Sequence, residues 1–130
     1  MHAKFFLLTK LILLCGLISF GQKFKSLESA LRSPENVVIL ELRKDKLNGI
    51  PNEILAFTNL EVLDLSHNNI SSVDIDLSSL SKLHTIILSK NKVQKFPMEF
   101  SDIPNLKILG LDRNPVDSIP DAITQFKTLE

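Results

Sequence analysis

Three residues near the middle of the chain, Asp64, Ser66 and His67, are the residue types of a hydrolase triad. In such a triad the histidine removes the serine proton while the acid holds the histidine in place. The serine also needs a strained turn and donors for an oxyanion, and neither pattern surrounds Ser66. We therefore interpret these side chains as polar residues that point to solvent from a strand, and we expect no enzymatic activity.

Metal and phosphate chemistry have little support in the remaining polar residues. His2, His67 and His84 do not have the spacing of a metal-ligand pair. Asp74 and Asp76 are close in sequence, but a calcium site needs more oxygen ligands, so a solvated loop is the simpler interpretation. The chain has four glycines and no glycine-rich phosphate loop. We expect neither a metal nor a cofactor.

The charge balance argues against nucleic acid as a partner. The 130 residues carry 15 basic and 15 acidic side chains, whereas domains that bind nucleic acid usually carry a basic excess. The only cysteine is Cys15, so residues 22–130 can form no intramolecular disulfide. The length leaves room for one small domain.

Residues 1–21 have the layout of a secretory signal peptide. Two lysines precede a ten-residue apolar run, and the small residues Ser19 and Gly21 suit cleavage before Gln22. A membrane anchor needs about 20 apolar residues, and a lipid anchor at Cys15 would require a small preceding residue where a leucine stands. We expect an exported protein of bacterial type, in the medium, the periplasm or on the cell surface. We expect no stable membrane insertion after cleavage.

The rest of the chain is organised by a repeat of 23 residues. The segment that begins at Leu60 reads L-x-x-L-x-L-x-x-N-x-I, and the pattern recurs at the same interval once before it and twice after it. A fixed period of this length predicts a solenoid, in which each repeat contributes one strand to a parallel sheet. Proline in repeats one, three and four predicts a return arc of turns and short helical pieces. The repeats are 37–59, 60–82, 83–105 and 106–128, and a fifth begins at 129.

An asparagine follows the strand in three repeats, as Asn68, Asn91 and Asn114. Its amide can donate and accept at once, so stacked copies can satisfy the backbone groups that a sharp bend leaves unpaired. Asp45 occupies this place in the first repeat, and an ionised carboxylate can only accept. We expect the bonding of Asp45 to be poorer.

Four copies in one register make residues 37–130 resemble the typical leucine-rich repeat family, whose pattern is L-x-x-L-x-L-x-x-N-x-L-x-x-I-P-x-x-I-x-x-L-x-x. The resemblance implies an α/β solenoid that is curved, with a parallel sheet of about four short strands on its concave side. It also implies protein or peptide binding on that side and no enzymatic activity.

Residues 22–36 are predicted to cap the open end of the first repeat, because a solenoid's terminal repeats lack a neighbour. Ser26 can cap a short helix that extends to Arg32, with Phe24, Leu27 and Leu31 on one face. The next residues, Ser-Pro, end this helix.

The binding residues are predicted to form columns across the concave face, because neighbouring parallel strands lie about 4.8 Å apart. We call the first column the apolar stripe and the fourth the basic row. In order, the four columns hold Ile39, Val62, Thr85 and Ile108; Glu41, Asp64, Ile87 and Gly110; Arg43, Ser66, Ser89 and Asp112; and Lys44, His67, Lys90 and Arg113. An apolar stripe beside a basic row suits an acidic ligand, whereas the simpler interpretation is a solvated row of like charges.

The sequence therefore predicts a non-catalytic binding module that takes a protein or peptide ligand. Two alternatives remain. The chain could be an assembly unit, because Leu109, Leu111, Ile119, Ile123 and Phe126 would face an absent neighbour and favour self-association through the C-terminal end. It could also be part of a longer leucine-rich repeat protein.

Overall fold

A computed structural model describes residues 22–130, so the predicted leader, Cys15 and the residue before the cleavage site lie outside the described residues. One parallel sheet holds all the strands of this part of the chain, and their spatial order is their order in the sequence. The strands are β1 (Gln22–Phe24), β2 (Val37–Glu41), β3 (Val62–Asp64), β4 (Thr85–Ile87) and β5 (Ile108–Gly110). Each turn of the chain adds one strand beside the last, which confirms the solenoid.

The sheet has five strands where the sequence predicts about four, because β1 forms inside the segment predicted as a cap. Gln22 pairs with Val37 and Lys23 pairs with Ile39, with one irregularity in the register between these pairs. Without β1, backbone groups on one edge of β2 would lack a strand partner, and such edges promote association. A strand of three residues with two polar side chains carries too short a pattern to be recognised from sequence.

The predicted helix is present as α1 (Leu27–Leu31). Ser26 caps it, because Ser26 Oγ accepts a hydrogen bond from the N–H of Ser29 at 3.2 Å. Ala30 is completely buried in the core, whereas Leu31 is 42% exposed and does not pack against the core with Phe24 and Leu27, with which it was predicted to share a face. Within residues 22–130, none of the helices has the length and apolar character needed to cross a bilayer.

The core is a stack of equivalent side chains from successive turns. Leu40, Leu63 and Ile86 are register partners on neighbouring strands, and all three are completely buried. The position two residues later is also buried in the first three repeats, as Leu42, Leu65 and Leu88. Each such side chain contributes about 1.5–3 kcal/mol when it leaves water, and each needs the neighbouring turn to be covered.

The return arcs follow the prolines as predicted. Short 3₁₀ helices, Asn52–Ala56, Met98–Asp102 and Asp121–Gln125, begin immediately after proline in repeats one, three and four. Repeat two lacks this proline, and its return arc contains no helix. Instead Val73, Ile75 and Leu77 are buried at alternate positions, while Asp74 and Asp76 are exposed between them.

The predicted asparagine ladder is present. Asn91 Nδ2 donates to the carbonyl oxygens of Leu65 and Leu88 at 2.9 Å each, and its Oδ1 accepts from the N–H of Ile70 at 2.9 Å. Asn68 and Asn114 make the equivalent bonds one repeat earlier and one later. Within residues 22–130, Asp45 contributes its backbone N–H to Asn68 Oδ1, in agreement with its expected poorer bonding.

The last turn is less covered than the turns before it. Leu109, Leu111 and Phe126 pack against the core but are only partly buried, and Ile119 is 66% exposed. The Phe126 ring meets Phe96 edge to face, with 5.7 Å between ring centroids. The register continues to the last residue, since the N–H of Glu130 donates to the carbonyl of Lys107 at 2.9 Å.

Candidate functional site

The sheet brings the predicted columns together. Ile39, Val62, Thr85 and Ile108 are successive register partners, and so are Glu41, Asp64, Ile87 and Gly110. Residues that lie one repeat apart in the sequence therefore become neighbours on one face, because every turn has the same length. The residues of the third column and the basic row follow directly after these strands.

The apolar stripe becomes more exposed towards the C-terminal end. Ile39 and Val62 are half-buried, and Ile108 is 50% exposed. Thr85 interrupts the stripe, because it is almost completely buried and its Oγ1 lies 2.9 Å from Nδ1 of His84. The accessible part of the stripe thus consists of three aliphatic side chains.

Most charges of the second and third columns neutralise one another. Lys23 of β1 lies 2.5 Å from the Glu41 carboxylate, so this lysine joins the face although the sequence did not place it there. Arg43 Nε lies 3.6 Å from the Asp64 carboxylate. At the other end of the sheet, the Ser89 hydroxyl donates to the Asp112 carboxylate. The two ion pairs neutralise Glu41, Arg43 and Asp64, whereas Asp112 keeps its negative charge, because the serine hydroxyl is neutral.

Ser66 is not a solvent-facing residue, and the expectation that it points to solvent is wrong. Only 3% of it is exposed. Its Oγ accepts from Arg43 Nε at 3.0 Å, and its N–H donates to Asp64 Oδ1 at 2.9 Å. The long side chain of Arg43 reaches across one repeat spacing to this serine, so a ligand would contact Arg43 rather than Ser66.

The basic row is different, because its side chains form no ion pair with other described residues. Lys44 and Arg113 are exposed, and His67 and Lys90 are partly exposed. The ion pairs on the concave face involve Lys23 and Arg43 instead. Lys46 and Lys92, two residues further along the chain than Lys44 and Lys90, are also exposed. Asp45 and Asp112 are exposed at the same end, so the accessible charge there is an excess of positive over negative side chains.

All four residues of the basic row have a left-handed backbone, with φ of 63° at Lys44, 59° at His67, and 56° at both Lys90 and Arg113. This conformation costs a residue with a Cβ about 1–2 kcal/mol. Hydrogen bonds between turns hold it, as when the N–H of His67 donates to the carbonyl of Ser89 at 2.9 Å. Sequence reasoning missed this conformation, because lysine and arginine are not the residue types that usually mark it.

The surroundings of His67 lower its pKa below the usual value. Partial desolvation is the largest cause, and the positive charges of Lys90, Lys44 and Arg43 add to it, while Asp64 acts in the opposite direction. The effects of the cations follow from the stacking, because these side chains belong to the turns on either side, whereas Asp64 precedes His67 on the same turn. His67 is consequently neutral at neutral pH, and the permanent charge of the row comes from its lysines and arginine.

Asp64, Ser66 and His67 do not form a catalytic relay. Asp64 accepts from the Ser66 backbone, and Ser66 Oγ is engaged by Arg43. In the part of the chain that the structure describes, no three histidine, cysteine or acidic side chains are grouped so that they could hold a metal ion. The arrangement is suited to binding through charge and apolar contact.

The sequence profile described as "Leucine rich repeat" matches residues 35–93 and also residues 58–116. Together these matches cover more than half of the chain. The chain belongs to the leucine-rich repeat family. A comparison with curated proteins found no match to this sequence.

Solved leucine-rich repeat structures have the same fold. A leucine-rich repeat protein of Leptospira interrogans is 26% identical, with a TM-score of 0.56 over 85% of this chain and 34% of its own. The structure of the Drosophila melanogaster SNF/U2A′ complex contains a chain that is 23% identical, with a TM-score of 0.67 over 82% of this chain and 63% of that one.

A plant peptide hormone receptor, solved in complex with the peptide RGF2, is 24% identical, with a TM-score of 0.58 over 74% of this chain and 16% of the receptor. This leucine-rich repeat chain therefore spans only one sixth to two thirds of the length of these structures.

Proposed function

We propose that the chain is an exported, non-catalytic binding module whose concave face takes an acidic segment of a protein or peptide. The observation that carries the proposal is the basic row: four neighbouring positions, all basic or histidine, without ion pairs among the described residues. The ion pairs of Lys23 with Glu41 and of Arg43 with Asp64 neutralise other charges of the face, and the Asp112 carboxylate accepts from the Ser89 hydroxyl. Within the four columns, a ligand's carboxylates would therefore meet cations without an ion-pair partner in this row.

The backbone of the row supports a binding role. Glycine or asparagine would adopt the left-handed conformation at lower cost. The chain instead places Lys44, Lys90 and Arg113 there. Strain of this kind is often retained where a side chain has a function. The stacking fixes the backbone beneath each side chain, which reduces the entropy that binding must remove.

Apolar contact would supply part of the affinity. Ile39, Val62 and Ile108 offer aliphatic surface beside the row, and burial of apolar surface contributes about 25 cal/mol per Å². A polypeptide can present acidic and aliphatic side chains together, which fits the presence of the apolar stripe and the basic row on one face. Nucleic acid fits less well, because residues 22–130 carry 13 basic side chains, without Lys4 and Lys10 of the leader, against 15 acidic ones.

The relatives with known complexes are consistent with this proposal at the level of the fold. The Drosophila structure is the SNF/U2A′ complex, and the plant peptide hormone receptor is in complex with RGF2. Similarity of fold does not define a ligand, so the proposed chemistry rests on the row and the stripe of this chain.

Binding can be tested by fluorescence anisotropy with a rhodamine-labelled deca-aspartate peptide. We expect the double variant Lys90→Glu/Arg113→Glu to lose most of the affinity, because two attractive contacts become repulsive. The control Lys95→Glu/Lys127→Glu changes the net charge equally at exposed positions outside the four columns. Equal loss of binding in both double variants would show that net charge, rather than this site, attracts the peptide.

Export follows from the leader, which the structure does not describe. Cleavage before Gln22 would leave this residue, the first of β1, at the N-terminus. Mass spectrometry of the protein recovered from the medium or the periplasm should show a chain that begins at Gln22. Recovery of the chain with Met1 intact from a membrane fraction would contradict export with cleavage.

A second candidate is assembly through the C-terminal end of the 130-residue chain. Ile119 is 66% exposed and Leu109, Leu111 and Phe126 are only partly covered, so a second copy could bury this surface. Light scattering should then show a dimer or larger species that a polar capping repeat, added after Glu130, converts to a monomer. A monomer of equal stability without the added repeat would exclude this assembly.

A further inference from the structure

We propose that the acidic ligand is bound together with a proton at His67, so that acidification strengthens the complex. This inference rests on the proposed function of the basic row. It adds a pH dependence to that function, because the row would carry three permanent positive charges and a fourth that depends on pH and on the ligand.

The position of His67 supports this assignment. In the row, His67 lies between Lys44 and Lys90. His67 follows β3, which pairs with β2 on one side and β4 on the other, and Lys44 and Lys90 follow those two strands. Its N–H donates to the carbonyl of Ser89, and the N–H of Lys44 donates to the carbonyl of Ser66, one residue before it. A ligand that crosses the strands along the row must therefore pass His67 to contact both lysines.

The charges around His67 explain why its protonation should depend on the ligand. The cations Lys90, Lys44 and Arg43 face it from the neighbouring turns and oppose a further positive charge, and only Asp64 favours it. Arg43 lies near the Asp64 carboxylate as well, so this carboxylate is partly neutralised. A ligand carboxylate placed over the row would add the negative charge that is missing, and the pKa of His67 would rise in the complex.

The direction of the effect follows from linkage. A ligand that raises the pKa of His67 must bind more tightly when His67 is already protonated. The affinity should increase as the pH falls through the region of the histidine pKa, by up to about tenfold for each pKa unit by which the ligand raises it. Improved folding cannot produce this increase, because a histidine whose pKa is lowered in the folded chain stabilises the fold less as the pH falls below about 6.5.

His84 provides a matched control on the same sheet. Its Nε2 lies 3.7 Å from the Glu61 carboxylate, and its Nδ1 lies 2.9 Å from Thr85 Oγ1. It precedes β4, whereas His67 follows β3, so the two histidines lie at opposite ends of the strands. A ligand on the basic row would meet His67 and leave His84 in its present surroundings.

The experiment measures binding of rhodamine-labelled deca-aspartate to the full chain between pH 5.8 and 8.0 at constant ionic strength. Aspartate side chains have a pKa of about 3.9 and stay ionised over this range. The variants are His67→Asn, His67→Lys and His84→Asn. Asparagine tolerates the left-handed backbone, and lysine already occupies it at Lys44 and Lys90. Circular dichroism at each pH checks that the chain stays folded.

We expect the wild type and His84→Asn to bind more tightly at low pH, by severalfold to about tenfold. His67→Asn should bind weakly at all pH values, and His67→Lys tightly at all of them. Binding that Lys90→Glu/Arg113→Glu abolishes, but that does not change with pH, would overturn this inference and leave the proposed function intact. The same holds if His67→Asn retains the full pH dependence. Absence of binding at every pH would overturn both proposals.

Discussion

In repeats two and three, two adjacent residues at the bend have different environments. Asn68 and Asn91 are buried and form hydrogen bonds to backbone groups of two turns. Their predecessors, His67 and Lys90, are partly exposed and contribute only backbone hydrogen bonds to the stacking. One position therefore holds the turns together, and the position before it keeps an accessible side chain, where we propose that a ligand binds.

This contrast separates the positions that stabilise the stack from those that we propose to bind a ligand. The amide of asparagine both donates and accepts, which is what the unpaired backbone groups on the inside of the bend require. The left-handed backbone of the preceding residue turns the chain and directs that side chain outward. The hydrogen bonds inside the bend require an amide side chain. The left-handed position before it fixes only the backbone and allows different side chains.

Of the variants considered, Leu65→Asp is expected to lower the stability of the fold most. The Leu65 side chain is completely buried, and its carbonyl accepts from both Asn68 and Asn91. An unpaired carboxylate there should cost several kcal/mol, which is a large part of the stability of a small domain. Loss of the cooperative thermal transition in circular dichroism should follow. A melting temperature within a few degrees of the wild type would contradict the register of repeat two.

Asn91→Ala and Lys90→Ala together test whether the asparagine stabilises the stack and the residue before it does not. Loss of the Asn91 amide leaves buried donors and acceptors unsatisfied, so we expect a decrease in the free energy of unfolding of about 2–4 kcal/mol. Lys90→Ala should change it by less than about 1 kcal/mol. Asn114→Ala should have a smaller effect than Asn91→Ala, because Asn114 is less buried and water can replace its bonds. Urea denaturation measures all three variants, and equal values for the first two would refute the division of roles.

A smaller effect is expected for Ser66→Asp, which tests the corrected position of Ser66. The added carboxylate would be buried beside Asp64, although Arg43 would offset part of the repulsion. We expect a loss of about 1–2 kcal/mol in urea denaturation. Ser79→Asp, at an exposed turn, should stay within about 0.5 kcal/mol. If the two variants had the same stability, Ser66 would be accessible after all.

The smallest effect concerns the backbone of the basic row. Lys90→Val places a β-branched side chain at a φ of 56°, so the free energy of unfolding should fall by about 1 kcal/mol. Lys90→Asn should leave it unchanged or raise it slightly, because asparagine tolerates this conformation. Both values come from the same urea denaturation series. A valine variant as stable as the asparagine variant would show that the turn adopts another backbone in solution.

The sequence predicted the features that the repeat itself enforces. Once Leu63 and Leu65 were assigned to the inside, equal repeat lengths determined which residues become register partners, and Val62 and Thr85 indeed pair. The asparagine ladder and the proline-initiated 3₁₀ helices were predictable for the same reason. Each depends on a residue type with one dominant physical property.

The features that were missed depend on contacts outside the repeat pattern. β1 has only three residues, and it forms because β2 offers an edge, not because its own sequence alternates. Ser66 is buried because Arg43 reaches back over it from the preceding turn. The position of a long flexible side chain does not follow from spacing alone. The binding columns were predicted as neighbours, but which of their charges stay unpaired required the structure.

The division between structural and binding positions can be measured most directly by nuclear magnetic resonance. A titration of the ¹⁵N-labelled chain with deca-aspartate reports which backbone amides sense the ligand. The account predicts the largest shift changes at the basic row, Lys44, His67, Lys90 and Arg113, and small ones in the 3₁₀ helices Asn52–Ala56 and Met98–Asp102 on the return arcs. Changes concentrated in those helices, with the basic row unaffected, would contradict it.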